Sequence, residues 1–300
     1  MLTKLKRKIY NYLNFDNKIK ALEHLIIQES DSQKVLLGKL LTDNLLKKGT
    51  LKSIHEAEFS IFSQGGDDGI IQYLVSKVDC PKRFVDLGAG TYGQPDTRFL
   101  LQHSNWSGLA VDASPVKEKL PLFDLETKQT FITAENVNEL VAGEVGLLNI
   151  DIDGNDYWVW KSIKINPAIV IVEYNPFFGL HPVTIPYNKD FVRTKSDYGT
   201  IYCGASLVAL CHLAKEKGYS FVGCSRQGVN AYFVRNDKVG DLQDLTPEEG
   251  FVMTQCREHR DKFNKKYLMN PEEATNFFLK DALFFDVERK REHIGLLTKK

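Results

Sequence analysis

Short β-branched runs alternate with helix-like segments through the middle of this chain, and this alternation limits the folds open to it. Strands separated by helical segments are typical of β-α-β units, which build a parallel sheet with helices on both faces. Residues 219–223 and 230–235 are separated only by a turn-like segment, too short for a crossover helix, so they favour an antiparallel hairpin. The sequence therefore predicts an α/β fold in which a parallel sheet ends in this hairpin. The parallel strands are expected at residues 83–87, 108–112, 130–133, 146–152 and 168–173.

Helix-like sequence flanks this region on both sides. Apolar residues before residue 46 recur at steps of three and four, and the charged sequence after residue 245 has a helical character as well. We divide the chain into a helical N-terminal extension (1–55), a central domain (56–240) and a helical C-terminal extension (241–300). The extensions are interpreted as caps on the core or as contacts in a homo-oligomer. The basic cluster of residues 4–8 leaves weak docking on a membrane surface as an alternative.

The composition excludes several classes of partner. The 39 basic and 39 acidic residues give a net charge of zero, so no global field attracts a nucleic acid. No apolar run approaches the roughly 18–20 residues that span a bilayer. The five cysteines are widely spaced and include no Cys-x-x-Cys pair, which argues against a disulfide framework and against a zinc cage. We expect a cytoplasmic protein without a nucleic-acid partner or a transmembrane segment.

A glycine-rich turn follows the first predicted strand, in the segment FVDLGAGTYG of residues 84–93. Glycines at positions 88, 90 and 93 permit a tight turn and a close approach of the backbone to a cofactor. Asp112 closes the next strand, where a carboxylate can accept hydrogen bonds from a pair of ribose hydroxyls. Together these features predict a site for a nucleoside-type cofactor.

The charge near the turn indicates which cofactor this is. Asp86 lies two residues before the first glycine, where its carboxylate would repel the pyrophosphate of a nicotinamide cofactor. Pro95 also removes an N–H group where a pyrophosphate-binding helix would need one. An acid suits S-adenosylmethionine, which has a sulfonium and an ammonium group and no phosphate. The sign of the charge therefore favours S-adenosylmethionine over NAD.

With these motifs in order, the chain resembles the class I S-adenosylmethionine-dependent methyltransferases. Within them it is similar to the FkbM-type branch and to related proteins of surface-glycan gene clusters. The resemblance implies a Rossmann-like, seven-stranded, mostly parallel sheet with a C-terminal antiparallel hairpin. It covers roughly residues 60–237 and rests on the motifs SQGGDDGIIQYL (63–74), VDLGAGTYGQPDTRFLL (85–101), NWSGLAVDAS (105–114), LLNIDIDGNDYWVW (147–160), IVIVEYNP (169–176) and NAYFVR (230–235).

The resemblance also implies roles for individual residues in cofactor binding. Asp86, Gly88 and Gly90 match positions near the methionine part of the cofactor, and Asp112 matches the acid that binds the ribose. Glu135 or Asn136 falls where the adenine contact usually lies. The segment of Gln64, Asp67 and Asp68 is expected over the cofactor, with N-capping of the next helix as its alternative. Residues 93–97 depart from the related pattern, which often has a glutamate and asparagines after the turn.

Two acids, Asp151 and Asp153, follow the fourth predicted strand, at the edge of the sheet that faces the cofactor crevice. If the strand continues that far, alternation places both on one side. Two carboxylates so close raise each other's pKa unless a cation or hydrogen-bond donors neutralise them. One of them could act as a general base on an acceptor hydroxyl. With Glu173 or Asn175 they could instead hold Mg²⁺, or they could cap the following helix.

The residues after the fifth strand are expected to contact the acceptor. His181 lies in a Gly-Leu-His-Pro loop and is the histidine best placed to enter the site, although an ordinary loop position is the simpler interpretation. The long segment 176–204 is interpreted as an acceptor-binding lid. Its aromatic residues Tyr187 and Tyr202 either line the site or pack on the sheet. No pair of histidines or cysteines marks a metal site.

These observations predict an S-adenosylmethionine-dependent O-methyltransferase. The resemblance implies that its acceptor is a sugar, a nucleotide sugar or a glycan precursor. Two alternatives stay open at this point: an NAD-dependent oxidoreductase, and a catalytically silent scaffold with a methyltransferase-like fold that binds a partner through its helical arm.

Overall fold

The computed structural model of the protein describes residues 2–116, 120 and 122–296. Its helices are Leu2–Leu46 (α1), Asp67–Lys77 (α2), Arg98–His103 (α3), Val137–Leu140 (α4), Asp156–Ser162 (α5), Leu207–Lys217 (α6), Pro247–Gly250 (α7) and Pro271–Phe278 (α8). Short 3₁₀ turns occupy Ile54–Glu56, Pro176–Phe178 and Arg193–Lys195. The strands are Arg83–Leu87 (β1), Ser107–Asp112 (β2), Leu125–Gln129 (β3), Leu147–Ile150 (β4), Ile169–Glu173 (β5), Val183–Thr184 (β6), Tyr219–Cys224 (β7), Asn230–Arg235 (β8), Glu258–Arg260 (β9), Lys266–Leu268 (β10), Leu283–Asp286 (β11) and Arg291–Ile294 (β12).

A seven-stranded sheet forms the centre of the fold, with the strand order β3-β2-β1-β4-β5-β8-β7. The strands β1 to β5 are parallel to one another, and β8 lies antiparallel between β5 and β7. The predicted α/β class, the mostly parallel sheet and the terminal hairpin are therefore confirmed. Because β1 to β5 run in one direction, their carboxyl ends meet at a single edge.

Burial explains which strands the sequence could reveal. Almost every residue of the central strands β1, β4 and β5 is buried. Parallel strands that are buried on both faces have nearly continuous runs of apolar residues in the sequence. Strand β3 lies at the edge of the sheet and reads Leu-Glu-Thr-Lys-Gln, with four of its five residues exposed. The prediction of a strand at 130–133 was wrong, because the apolar pair Phe131 and Ile132 lies in the loop after this polar edge strand.

Helices cover both faces of the sheet and leave two apolar layers. Val85 and Leu87 of β1 point into the layer formed with α4, α5 and α6. Phe84 of the same strand points into the layer formed with α2 and α3. The last turns of α1 also pack here, with Leu45 buried in the second layer. Asp86 alternates with Val85 and Leu87, so it lies on the face covered by α2 and α3.

The C-terminal segment is not helical throughout, and this part of the prediction was wrong. Only α7 and α8 are helical between residues 241 and 296, and the segment also contains two hairpins, β9–β10 and β11–β12. Asn264 and Lys290 adopt positive φ in the turns of these hairpins, at 63° and 54°. Many charged residues suit an exposed hairpin as well as an exposed helix, so composition did not distinguish them.

The segment 176–204 and the C-terminal residues pack together beside the sheet. Strand β11 pairs with β6, and a third apolar cluster joins Phe178 and Ile201 to Phe278 and Phe284. The predicted lid is therefore held by a small three-stranded sheet, β12-β11-β6. Within the described part of the chain, no helix is long and apolar enough to cross a membrane.

Candidate active site

A cleft of about 860 Å³ lies at the carboxyl ends of β1, β2, β4 and β5. An inner compartment of about 400 Å³ adjoins it below the glycine-rich turn. The two spaces share the lining residues Gln64, Gly88, Gly90, Asp151 and Val229. The two spaces therefore adjoin each other at the edge of the sheet, and together they are called the cavity.

The glycine-rich turn forms the wall between these parts. Gly88 has φ +95°, and a Cβ atom there would lie 1.6 Å from the carbonyl oxygen of Asp151, so only glycine fits. Gly90 has φ +56° and nothing within 4 Å of the place of its Cβ. The carboxylate of Asp112 accepts hydrogen bonds from the N–H groups of Gly90 (2.9 Å) and Ser114 (2.6 Å). Asp112 therefore fixes the turn while it stays half-buried at the wall of the cleft.

Asp86 lies at the floor of the inner compartment and is 1% exposed. It accepts hydrogen bonds from the Thr97 hydroxyl at 2.6 Å and from the Asn149 amide at 3.0 Å. Asn149 is the register partner of Asp86 on β4. Burial raises the pKa of Asp86, and the two hydrogen bonds oppose this shift.

Two further acids line the same compartment. Asn230 donates from its side-chain amide to Asp67 at 3.0 Å and to Asp96 at 2.9 Å, and the Tyr232 hydroxyl also donates to Asp67. The pKa of Asp96 is raised well above its ordinary value by burial and by the neighbouring charges of Asp67 and Asp86.

The inner compartment is rich in acceptors and poor in positive charge. Four aspartates line it (Asp67, Asp86, Asp96 and Asp151), and among the described residues of its wall there is no lysine, arginine or histidine. The side-chain oxygens of Asn149 and Asn230 are buried there and have no hydrogen-bond partner within the described chain. Buried acceptors without a donor are costly. This wall therefore suits a ligand that is positively charged and brings N–H donors.

A second acidic group lies in the outer part of the cleft. Asp151, Asp153 and Glu173 each place a carboxylate oxygen within 4.8 Å of the other two. Arg193, from the segment 176–204, forms an ion pair with Asp153 and donates from Nε to the carbonyl of Thr200 at 2.6 Å. One guanidinium thus faces three carboxylates.

The crowding of these carboxylates raises the pKa values of Asp151 and Glu173. Burial, together with the charges of Asp153 and Asp156, raises the pKa of Asp151 to about 7. The pKa of Glu173 is also raised, by burial and then by the charges of Asp151 and Asp153. A carboxylate with a pKa near neutrality is able to accept a proton from a substrate. The same spacing of oxygens would also suit a hard divalent cation.

Neither Asp151 nor Asp153 caps helix α5, whose N-cap residue is Asn155 and makes no side-chain capping bond. Asp156 accepts hydrogen bonds from the N–H groups of Ile152 (2.9 Å) and Gly154 (3.0 Å), so it holds the loop that precedes α5. Asp153 has φ +56°, which turns the backbone sharply after β4. Asp151 and Asp153 therefore stay available to the cleft.

The outer wall combines aromatic side chains with the C-terminal segment. Phe131, Phe177 and Phe191 line the cleft, and residues 254–259 close it from the side of β9. The imidazole of His259 is buried and contacts the Phe177 ring edge-on. This part of the cavity offers flat apolar surfaces beside the acidic group.

Of the residues proposed from sequence, the structure places these at the wall of the cavity: Gln64, Asp67, Asp86, Gly88, Gly90, Asp112, Asp151, Asp153, Glu173 and Asn175. Glu135, Asn136 and His181 are not among the described residues of its wall. Glu135 accepts a hydrogen bond from the Tyr187 hydroxyl at 2.5 Å, and Asn136 donates to the carbonyl of Phe131 at 2.8 Å. Phe131 and Ile132 of this loop reach the cleft instead.

Several residues of the cavity escaped the sequence prediction. Asn149 could have been recognised from the sequence as a candidate site residue, because it is a polar residue inside the apolar run of β4. Asp96, Arg193 and Asn230 offered no such signal, since they lie in distant segments that only the folded chain brings to the cleft. Asp68 has a structural role, because its Oδ2 accepts hydrogen bonds from the backbone N–H groups of residues 61, 62 and 63.

No protein-family model matches the chain, and no curated protein matches it significantly. Solved structures overlap with it in part. A proposed hemolysin from Lactococcus lactis shares 15% identity with a TM-score of 0.40, over 62% of this chain and 94% of that one. Rv0187 from MTB, crystallised with a bound cofactor, shares 11% identity with a TM-score of 0.34, over 68% and 90%. Human N-acetylserotonin methyltransferase, in complex with SAM, shares 11% identity with a TM-score of 0.34, over 68% and 56%. Because these overlaps are partial and the identities low, we infer the function from the residues of the cleft.

Proposed function

We propose that this protein is an S-adenosylmethionine-dependent methyltransferase that methylates an oxygen of its acceptor. The observation that carries the proposal is the inner compartment, with four aspartates, two unpartnered asparagine oxygens and no basic residue in its described wall. A pyrophosphate would be repelled there, which disfavours the NAD-dependent alternative. A cofactor with an ammonium and a sulfonium group would instead gain both charge compensation and hydrogen bonds.

The residues of the cavity fit the parts of this cofactor. The acids and amide oxygens of the inner compartment would accept hydrogen bonds from the ammonium group, and Asp112 would accept them from the ribose hydroxyls. Gly90 leaves open space between these two places. When bound, the cofactor supplies an electrophilic methyl group on sulfur.

Asp151 is the group we assign as general base. It lies in both parts of the cavity, with a pKa of about 7, so near neutral pH a large fraction is ionised and ready to take a hydroxyl proton. Arg193 lowers the pKa of Asp151 by its charge and keeps Asp153 paired. Orientation of the acceptor and exclusion of water by the aromatic wall would supply much of the remaining rate.

The acceptor is proposed to be a sugar, a nucleotide sugar or a glycan precursor, and this rests on the sequence resemblance. The aromatic rings of the outer cleft are compatible with stacking on a sugar ring. Among the described residues that line the outer cleft, the only basic side chains are Arg193 and His259. An uncharged sugar therefore fits this acidic wall better than a sugar that carries a diphosphate.

Calorimetry on the purified protein tests the cofactor. We expect S-adenosylmethionine and S-adenosylhomocysteine to bind, and NAD not to bind. Asp112→Asn should weaken the affinity by about 10- to 100-fold, because it removes the charge from two hydrogen bonds to the ribose. Asp190→Asn, at an exposed carboxylate that is not among the described residues of the cavity wall, is the matched control and should bind normally. Binding of NAD alone, or of neither cofactor, would overturn the proposal.

Activity measurements separate the two roles of the outer acids. With a sugar acceptor, mass spectrometry should detect the gain of one methyl group, and Asp151→Asn should abolish it while cofactor binding persists. If Asp151 is the base, EDTA should leave the rate unchanged. Loss of activity in EDTA and recovery with Mg²⁺ would assign Asp151, Asp153 and Glu173 to a cation instead. Wild-type activity of Asp151→Asn would show that Asp151 is not the base. A wild-type protein that binds the cofactor but yields no methylated product would favour the scaffold alternative.

A further inference from the structure

Helix α1 is far longer than its contact with the rest of the protein. Its 45 residues span about 65–70 Å. Every described side chain from residue 15 to residue 30 is exposed, and the first partly buried one is Asp31. A helix that stands alone in water is only marginally stable from propensity. The free half of α1 therefore needs a partner.

Six of the exposed apolar side chains of α1 lie on one stripe, whereas others, such as Leu25, Ile27 and Leu37, lie outside it. Phe15, Ile19, Leu22 and Ile26 follow each other at steps of four, three and four, and their exposed fractions run from 38% to 67%. Continuing the same seven-residue repeat leads to Leu36 and Leu40, which are 64% and 62% exposed. Only Glu29 and Gln33 interrupt the stripe. A repeat of this kind is the seam of a two-stranded coiled coil, with these residues at its a and d positions.

The domain uses the opposite face of the helix. The residues of α1 that reach the domain occupy the b, c and f positions of the same repeat. Arg98 pairs with Asp31 at 2.5 Å, and the ring of Phe99 fills the space beside Gly38. The described a and d positions between Phe15 and Leu40 are all exposed, so the domain does not obstruct this face there. The inward residues are Asp31, Val35, Gly38, Leu41, Thr42 and Leu45.

We propose that two copies of this chain form a parallel, two-stranded coiled coil through the stripe of α1. A second copy fits because the charges beside the stripe are self-complementary. In a parallel pair, Lys18 at position g faces the partner's Glu23 at position e, and the symmetric contact repeats this attraction. Glu29 and Gln33 sit at the seam in register, and they lower the stability of the pair while disfavouring other registers. The two domains then lie on opposite sides of the seam.

The charge of the free segment argues against a lipid surface as the partner. Helices that lie on anionic membranes have many basic residues on the polar face. Residues 15–30, which carry most of the stripe, contain three acidic and two basic side chains, so any attraction of α1 for anionic lipid is confined to the basic cluster of residues 4–8.

Sedimentation of the full chain at micromolar concentrations tests the proposal. The wild type should have twice the chain mass of 34.2 kDa. Ile26→Asp places a charge in the seam and should raise the dimer dissociation constant by at least about 30-fold. Ile27→Asp, the matched control, makes the same change at an exposed residue outside the stripe and should leave the mass unchanged. Circular dichroism should show that both variants are folded.

Two further variants test the parallel register. Lys18→Glu should weaken the dimer several-fold, and adding Glu23→Lys should restore it. Leu22→Cys should form a disulfide-linked dimer on mild oxidation beyond the wild-type background, because the two d positions face each other. A monomeric wild type, equal effects of Ile26→Asp and Ile27→Asp, or association only with anionic vesicles would overturn the proposal. Efficient dimerisation without the Leu22→Cys cross-link would overturn the parallel arrangement.

Discussion

Replacing Asp151 with asparagine should stabilise the folded protein, and the gain should grow with pH. The folded pKa of Asp151 is about 7, against an ordinary value of 3.8. Between these values the folded protein holds more protons than the unfolded chain, so the free energy of unfolding falls as pH rises. Each pH unit in that window costs about 1.4 kcal/mol, so the penalty grows by about 2–3 kcal/mol from pH 5 to pH 8. Asparagine removes the ionising group and hence the penalty.

Urea unfolding at pH 5 and pH 8 measures this effect. We expect Asp151→Asn to gain about 2–3 kcal/mol over the wild type at pH 8 relative to its gain at pH 5, with unchanged m-values. Asp190→Asn, whose carboxylate is 80% exposed, should show no such difference. A gain that is the same at both pH values, or a variant less stable than the wild type at pH 8, would refute the reasoning. Either result would mean that ionisation of Asp151 in the folded protein does not lower the free energy of unfolding.

Three further predictions concern the surroundings of the site. Gly88→Ala should lower the free energy of unfolding by about 3 kcal/mol or more, because its Cβ meets the Asp151 carbonyl, whereas Gly90→Ala should cost only about 1–2 kcal/mol for its positive φ; equal thermal midpoints for the two variants would contradict this. Arg193→Gln should move the midpoint of the pH profile of kcat/KM to higher pH, since the guanidinium lowers the pKa of Asp151; a fixed midpoint would show that the two do not interact. Asp68→Ala should cost about 2–4 kcal/mol in urea unfolding, because three buried N–H groups lose their acceptor, and a loss within error of zero would exclude that role.

The sequence revealed the parts of the fold in which local pattern and burial agree. The strands β1, β4 and β5 are apolar because both their faces are covered, so their positions could be predicted closely. The position of strand β3 was not predicted, because an edge strand needs no apolar run. The hairpins after residue 250 escaped because a solvated charge pattern fits either kind of secondary structure.

The same distinction applies to the candidate site. Asp86, Asp112 and Asp151 lie at or next to the carboxyl ends of strands, and parallel topology alone brings them to one edge of the sheet. Arg193 and Asn230 reach the cavity through long-range packing, and no local spacing marks them. Glu135 was assigned by position in a family pattern, and here its carboxylate is engaged by Tyr187.

The pairing of β11 with β6 has a consequence for the order in which the protein is completed during translation. All seven strands of the central sheet have been synthesised by Arg235, but the residues that brace the segment 176–204 lie further along the chain, from His259 and Arg260 through Phe278 to β11. At ribosomal rates of 5–20 residues per second, the stretch from Arg235 to β11 takes about 2–10 s. Through that interval Phe178 and Ile201 lack the side chains that cover them in the finished protein. The nascent chain therefore has its central sheet before the outer wall of the cleft is complete, and the exposed aromatic surface of the unfinished part is where a chaperone would bind.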